Sequence, residues 1–66
     1  MQYHLYGRQE TSSNTIFKRL FTGSRNACGR ALSEAARIKS SSPGSEYRNY
    51  KFCIYDDADR LVSSAN

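Results

Sequence analysis

The chain has 66 residues, of which 38% are hydrophobic and 24% are charged, and its formal net charge at pH 7 is +4. A chain of this length forms one small domain and has no room for both a core and a deep active site that excludes water. The composition is close to the globular average, which argues against wholesale disorder. The sequence therefore predicts a single domain over residues 1–66 and a function without catalysis.

The excess of positive charge corresponds to a sequence pI of about 9.4. It favours a partner with negative charge, such as nucleic acid, an acidic protein or an anionic membrane surface. Small soluble domains also carry a few excess charges for solubility alone, so the charge by itself leaves both interpretations open.

Cys28 and Cys53 are the only two cysteines, too few for a disulfide framework. We expect free thiols in a reducing compartment, although one bridge is possible. The N-terminal segment MQYHLYGRQE lacks the apolar region of a signal peptide, and the longest apolar runs are far too short to span a membrane. These features predict a cytoplasmic protein without a membrane partner.

The first two predicted elements differ in how clearly the pattern defines them. In Tyr3–Gly7, Tyr3 and Leu5 alternate with polar neighbours, which predicts a short strand, and the polar run QETSSN that follows suits a loop. Thr15–Thr22 (TIFKRLFT) fits the periodicity of a helix, but its short length and its Ile, Phe and Thr content favour a strand. We predict a strand and keep the helix as the alternative.

Ser24–Lys39 is the clearest helix, with Ser24 as its N-cap. Its apolar residues recur every three or four positions and form one stripe dominated by alanine: Ala27, Cys28, Ala31, Leu32, Ala35 and Ile38. Gly29 lies inside the helix at a cost of roughly 1 kcal/mol. A close approach by a neighbouring backbone or a partner would explain it, as would simple tolerance.

Pro43 and Gly44 end the helical pattern, and a hairpin over Tyr47–Ala65 follows. Its turn is Asp56–Asp59, where aspartates hold their own backbone, an assignment we prefer to a cation-binding loop. The predicted fold class is therefore α+β, a small two-layer domain with an antiparallel sheet and one main helix. The predicted order is β-β-α-β-β, or β-α-α-β-β if Thr15–Thr22 is helical.

One helix covers one face of such a sheet and leaves the other face bare. The alternation of the first and third strands predicts that this face carries tyrosines and cations, where plain polar residues are usual. The candidate partner-binding residues are Tyr6, Arg8, Tyr47, Lys51 and Tyr55, joined by one of Lys18 and Arg19. Such a face can anchor a protein partner or stack single-stranded nucleic acid, and tyrosine also favours strands without any function.

Catalytic, metal and cofactor sites have no support in the pattern. His4 is the only histidine, and no CxxC or HxxxH spacing accompanies it. Cys53 beside His4 would lack a third orienting group and any shielding from water. We therefore predict no catalytic residue, no metal site and no cofactor.

Three stretches carry a resemblance of organisation: YHLYG, LFTGSRNACGRALSEA and YKFCIYDDADRLV. They fit a strand, a strand that runs through Gly-Ser into a helix, and a closing hairpin with an acidic turn. In this the chain resembles small accessory proteins of bacteriophages and mobile elements, among them anti-CRISPR and other anti-defence inhibitors. The resemblance implies a non-enzymatic binder of a host protein or protein–nucleic-acid complex. Many anti-CRISPR proteins are acidic DNA mimics, and this basic chain departs from that mode.

The sequence thus predicts a phage-type inhibitor or adaptor of host protein machinery. A basic nucleic-acid-binding module and a homo-oligomeric accessory protein, the simplest form being a homodimer, are the alternatives.

Overall fold

The computed structural model describes residues 1–65. Its elements follow the order β1 (Tyr3–Glu10), β2 (Thr15–Gly23), α1 (Arg25–Ser41), β3 (Lys51–Asp56) and β4 (Leu61–Ala65). This confirms the predicted α+β class and the order β-β-α-β-β. Thr15–Thr22 lies in a strand, so the helical alternative for that segment is wrong: the preference of Ile, Phe and Thr for extended backbone prevails over the helical periodicity.

The four strands form one antiparallel sheet in the order β2-β1-β3-β4, so β1 and β3 are central. Both edge strands contain one extra residue. The pairing of β1 with β2 shifts at Leu20, and the pairing of β3 with β4 shifts at Val62. Each extra residue packs against the core, so these β-bulges add apolar contact at the two edges of the sheet.

The core lies between α1 and the central strands. Leu5, Phe52 and Ile54 contribute the strand side, and Cys28 and Ala35 contribute the helix side; all five are buried. The small alanines let the helix approach the sheet closely. Its start is fixed by the predicted cap, since the Ser24 hydroxyl accepts a hydrogen bond of 3.1 Å from the Ala27 amide.

The turn between β3 and β4 is built around Asp56. Its carboxylate accepts hydrogen bonds from the amides of Ala58 and Arg60, both at 2.9 Å, and from Arg60 Nε at 3.1 Å. Asp59 adopts the left-handed conformation that closes the reversal, with φ of 60°. The aspartates therefore serve the turn, as predicted, and Asp56 is buried in the process.

The segment before β3 departs from the prediction. Residues 46–49 form turns, with the Tyr50 amide donating to the Tyr47 carbonyl at 3.0 Å, and the strand begins only at Lys51. Alternation therefore does not extend back to Tyr47. Its ring packs edge-on against Phe52, with centroids 5.8 Å apart, on the helix side of the sheet. The prediction that Tyr47 lies on the bare face is wrong.

Candidate interaction surface on the open sheet face

One face of the sheet is covered and the other is open. α1 packs on β1, β2 and β3, and no other helix occurs within residues 1–65 to cover the opposite side. Strand registers define that side, which we call the open face. Its larger side chains are His4, Tyr6, Arg8, Phe17, Arg19, Lys51, Cys53, Tyr55 and Leu61, and the smaller or terminal residues Glu10, Thr15, Thr22 and Ser64 share it. The two-layer arrangement and its bare face were predicted from the sequence.

Three aromatic rings from three strands meet at the centre of the open face. The Tyr6 ring in β1 contacts the rings of Phe17 in β2 and Tyr55 in β3, with centroids 6.2 and 5.8 Å away. Phe17 and Tyr55 also approach each other at 6.5 Å, and all three pairs are edge-to-face, the arrangement that aromatic quadrupoles favour. The rings surround a shallow hollow of about 290 Å³, with Asp59 at its rim.

Leu61 extends this cluster to the last strand, because it is the register partner of Tyr55. Phe17, Tyr6, Tyr55 and Leu61 thus form an apolar stripe that crosses all four strands. At its two ends the side chains are far from buried: Phe17 is 50% exposed and Leu61 is 58% exposed. An exposed apolar stripe of this kind is a candidate contact surface rather than part of the core.

Cations accompany the stripe. The Arg19 guanidinium lies 5.8 Å from the Tyr6 ring centroid and donates to the Tyr6 hydroxyl at 3.3 Å. Arg8 and Lys51 are direct partners in the pairing of β1 with β3, a juxtaposition of like charges that is unfavourable unless an anion relieves it. Arg8 reaches Glu10 at 2.7 Å, but its Nε is buried without a hydrogen-bond partner among the described residues.

A second hollow lies beside these cations. It has a volume of about 190 Å³ and is lined by Arg8, Lys51, Tyr55 and Leu61, with Cys53 and Ser64 also at its wall. Two positive side chains beside apolar surface form a suitable environment for a carboxylate carried by an otherwise apolar partner segment.

Of the two cations that were alternatives for the open face, the register selects Arg19. Lys18 pairs with Gly7, whose helix-side space is filled by Tyr50, and its ammonium lies 3.6 Å from the Glu46 carboxylate. Lys18 therefore belongs to the helix side. Of the seven predicted contact residues, five lie together on the open face, whereas Lys18 and Tyr47 do not.

Phe17 is the main residue of this surface that the sequence analysis did not select. The signal was present, because Phe17 and Arg19 are two positions apart in a strand and share a face. It was hidden by the uncertainty over whether this segment is strand or helix. Leu61 was missed for another reason: the bulge at Val62 reverses the alternation near the start of β4.

The histidine and the cysteines have neighbours within the sheet and the core. His4 Nδ1 lies 3.0 Å from the Thr22 hydroxyl across β1 and β2. Both cysteines are buried and unbonded, and burial raises the pKa of each thiol; for Cys53, nearby Arg8 acts in the opposite direction. Within residues 1–65, no group of His, Cys, Asp and Glu side chains is arranged to hold a metal ion.

No family model matches the sequence, and comparisons with curated proteins and with solved structures give no match. As to membranes, none of the helical structure in residues 1–65 combines the length and the apolar character that crossing a bilayer requires. A functional conclusion therefore rests on the geometry of the open face.

Proposed function

We propose that this chain is a small non-enzymatic binding protein that docks its open face on an acidic patch of a partner protein. One observation carries the proposal: an apolar stripe crosses all four strands and stays exposed at both ends, between Arg8, Lys51 and Arg19. Tyrosine, phenylalanine and arginine are enriched at the centres of protein interfaces, where they supply most of the binding energy.

The dimensions of the molecule are compatible with such an interface. The Cα atoms span 34 × 28 × 14 Å, so the domain is a thin slab whose broad faces are those of the sheet and the helix. A stable interface buries about 800 Å² on each partner, an area that one broad face of the slab can supply. A slab of this kind acts most simply by covering a functional surface of a larger partner.

The charge of the face favours an acidic partner. Arg8, Arg19 and Lys51 contribute three positive charges, and the acidic groups beside them are Glu10, which is paired with Arg8, and Asp59. Positive groups around an apolar centre speed association with a negative surface and align the partner. We infer an inhibitor or adaptor of the kind found among phage-type accessory proteins, acting in the cytoplasm on host protein machinery.

Neighbouring residues in β2 provide a matched test. Phe17 is 50% exposed on the open face, whereas Ile16 is 47% exposed and lies on the other side of the same strand. We would immobilise the wild-type protein and the Phe17→Ala, Tyr55→Ala and Ile16→Ala variants, and pass nuclease-treated bacterial lysate over each. A partner that binds by the open face is retained by wild type and Ile16→Ala and lost from the other two.

The affinity of that partner is then measured for each variant with purified components. We expect roughly a tenfold or greater loss for Phe17→Ala and for Tyr55→Ala. Charge reversal by Lys51→Glu should slow association more than it speeds dissociation. If Ile16→Ala weakens binding as much as Phe17→Ala, or if nothing is retained by the wild-type protein, the open face is not the docking surface.

A single-stranded nucleic acid is the second candidate, favoured by one observation: rings and cations share the open face, with Arg19 over the Tyr6 ring and with Tyr55 and Lys51 lining one hollow. Bases can stack on such rings while cations neutralise phosphates. The test is fluorescence anisotropy with labelled oligothymidylate over a salt series. Binding dominated by phosphates weakens by orders of magnitude between about 50 and 200 mM salt.

Self-association is the third outcome to distinguish, because an open sheet face can pair with a second copy. Sedimentation of the pure protein at several concentrations separates it from the other two. A homodimer that Phe17→Ala dissociates would assign the open face to a copy of this chain and overturn the proposal of an acidic partner.

A further inference from the structure

A groove lies on the other side of the sheet, between α1 and β4. The helix packs over β1, β2 and β3, and so leaves the side of the sheet near β4 uncovered. The groove has a volume of about 680 Å³. Ile54 and Val62 form its apolar floor, with Ser63 beside them, and residues of one helix side form its wall. It shares none of its lining with the apolar stripe of the open face.

Three arginines stand along the helical wall. Arg25, Arg30 and Arg37 all line the groove and are exposed. Glu34, the one acidic residue of α1, pairs with Arg37 and not with Arg30, although it lies four residues from Arg30. Arg25 and Arg30 make no ion pair with any residue in the range 1–65. The wall is therefore electropositive, with two guanidinium groups free to bind carboxylates.

Gly29 widens the groove in the middle of this wall. Apart from the adjoining turns of its own helix, a Cβ atom placed on Gly29 would meet no atom within 4 Å, so no backbone from another element requires a glycine here. Glycine has a low helix propensity and therefore destabilises the helix interior. The space left by its missing side chain opens onto the groove. Of the explanations considered for Gly29, a close neighbouring backbone is excluded, whereas room for a partner and simple tolerance of glycine both fit this geometry.

The edge of the sheet below the groove lacks charge and proline, although β4 is short and carries the bulge at Val62. Natural sheets guard their edges with charged residues or proline, and also with short strands and bulges. β2, at one edge, carries Lys18 and Arg19, whereas Leu61–Ala65 at the other edge contains no charged residue and no proline. Outward-pointing amides and carbonyls of β4 are therefore open to pairing with another strand.

We propose that an extended acidic segment of a partner protein adds to the edge of β4 as a fifth strand. Its backbone pairs with β4, and the side chains that face the helix layer alternate between apolar contact beside Val62 and carboxylates beneath Arg25 and Arg30. Backbone pairing supplies affinity in this mode of recognition, and the pockets for alternate side chains supply specificity. The site is independent of the open face, so it stands whether or not the proposed function does.

The probe is a short fluorescent peptide with the repeat Glu-Thr-Val-Thr, whose glutamates and valines lie on one face of an extended strand. A version carrying central prolines is its control. Anisotropy should detect binding of the first peptide and not of the second, because proline removes the donors that pair with β4. Isotope-labelled protein should show slowed amide exchange within Leu61–Ala65 on addition of the first peptide.

Variants of the groove complete the test. Gly29→Phe fills the groove, and the double variant Arg25→Glu/Arg30→Glu reverses its charge; we expect each to weaken the peptide roughly tenfold or more. Gly29→Ala adds helix propensity without filling the groove and should keep affinity within about twofold. Circular dichroism melts establish that every variant is folded.

Open-face variants separate this site from the proposed function. Phe17→Ala should leave peptide binding unchanged, even if it abolishes binding of the acidic protein partner. The inference is overturned if the peptide does not bind the wild-type protein, if the proline version binds equally well, or if a folded Arg25→Glu/Arg30→Glu variant keeps full affinity.

Discussion

Gly7 in β1 lies directly under the ring of Tyr50. A Cβ atom placed on Gly7 would stand 2.6 Å from Tyr50 Cδ2, closer than carbon atoms approach without displacement. Glycine weakens a strand interior because it has no side chain to pack. Here the Tyr50 ring, from the segment before β3, fills the space that a side chain at position 7 would occupy. The ring therefore supplies the packing that glycine lacks.

We predict that Gly7→Ala destabilises the domain by about 1–3 kcal/mol, the usual cost of inserting a methyl group into a packed site. The measurement is urea unfolding followed by circular dichroism. Gly44→Ala is the control, because a Cβ on Gly44 meets nothing within 4 Å. In the Tyr50→Ala background, Gly7→Ala should cost much less; equal costs in both backgrounds would contradict the contact.

Tyr47→Ala should lower stability, in contrast to the sequence-based expectation that this residue lies on the bare face as a candidate contact. The ring is half-buried against Phe52 and Tyr50, at centroid distances of 5.8 and 6.0 Å. Complete truncation of a buried aromatic costs about 3–5 kcal/mol, so we expect about 2 kcal/mol for this half-buried ring. Urea unfolding measures it, with the exposed neighbour Arg48→Ala as control. If the urea midpoint is unchanged, the Tyr47 ring does not stabilise the domain, and Tyr47 is again a candidate binding residue.

The contrast between Tyr47 and Tyr55 indicates what the sequence can predict. Alternation within β3 correctly separates Phe52 and Ile54 from Cys53 and Tyr55, because side chains of a strand alternate between its faces. The same rule fails four residues before Lys51, since local turn hydrogen bonds, which leave little trace in composition, end the extended backbone.

The edge strands show a second limit of prediction from the sequence. Each bulge moves one residue out of the simple alternation, Leu20 in β2 and Val62 in β4. A bulge depends on the pairing partner and on what the core needs, neither of which a single strand specifies. The fold class and most of the open face follow from local pattern, whereas the stripe across four strands and the groove beside α1 need the tertiary arrangement.

Gly29→Ala should stabilise the domain by roughly 0.5–1 kcal/mol, because alanine loses less backbone entropy in a helix interior. Apart from the adjoining turns of its own helix, the added methyl group meets no atom within 4 Å, and no described glycine has a positive φ, so neither a clash nor backbone strain opposes the gain. A rise in the thermal midpoint measured by circular dichroism would agree. A fall would mean that the wall of the groove is closed at Gly29, which also removes the room proposed for a partner strand.

Asp56 should make stability dependent on pH. Hydrogen bonds from the Arg60 amide, and secondarily from the Ala58 amide and the Arg60 guanidinium, hold the pKa of the Asp56 carboxyl below its ordinary value. A carboxyl with a depressed pKa in the folded state contributes stability above its unfolded pKa of about 3.9. That contribution is lost as the pH falls through the lower folded-state pKa.

Asp56→Asn removes the charge but keeps the shape of the turn, so the variant should be less stable than wild type at pH 7. On acidification the wild-type protein loses the contribution of Asp56 and the variant does not. The difference between the two unfolding midpoints should therefore shrink below about pH 4. Urea unfolding at several pH values measures it, with Asp57→Asn, an exposed neighbour in the same turn, as the matched control. A difference that stays constant from pH 7 to pH 3 would show that the charge of Asp56 does not stabilise the hairpin.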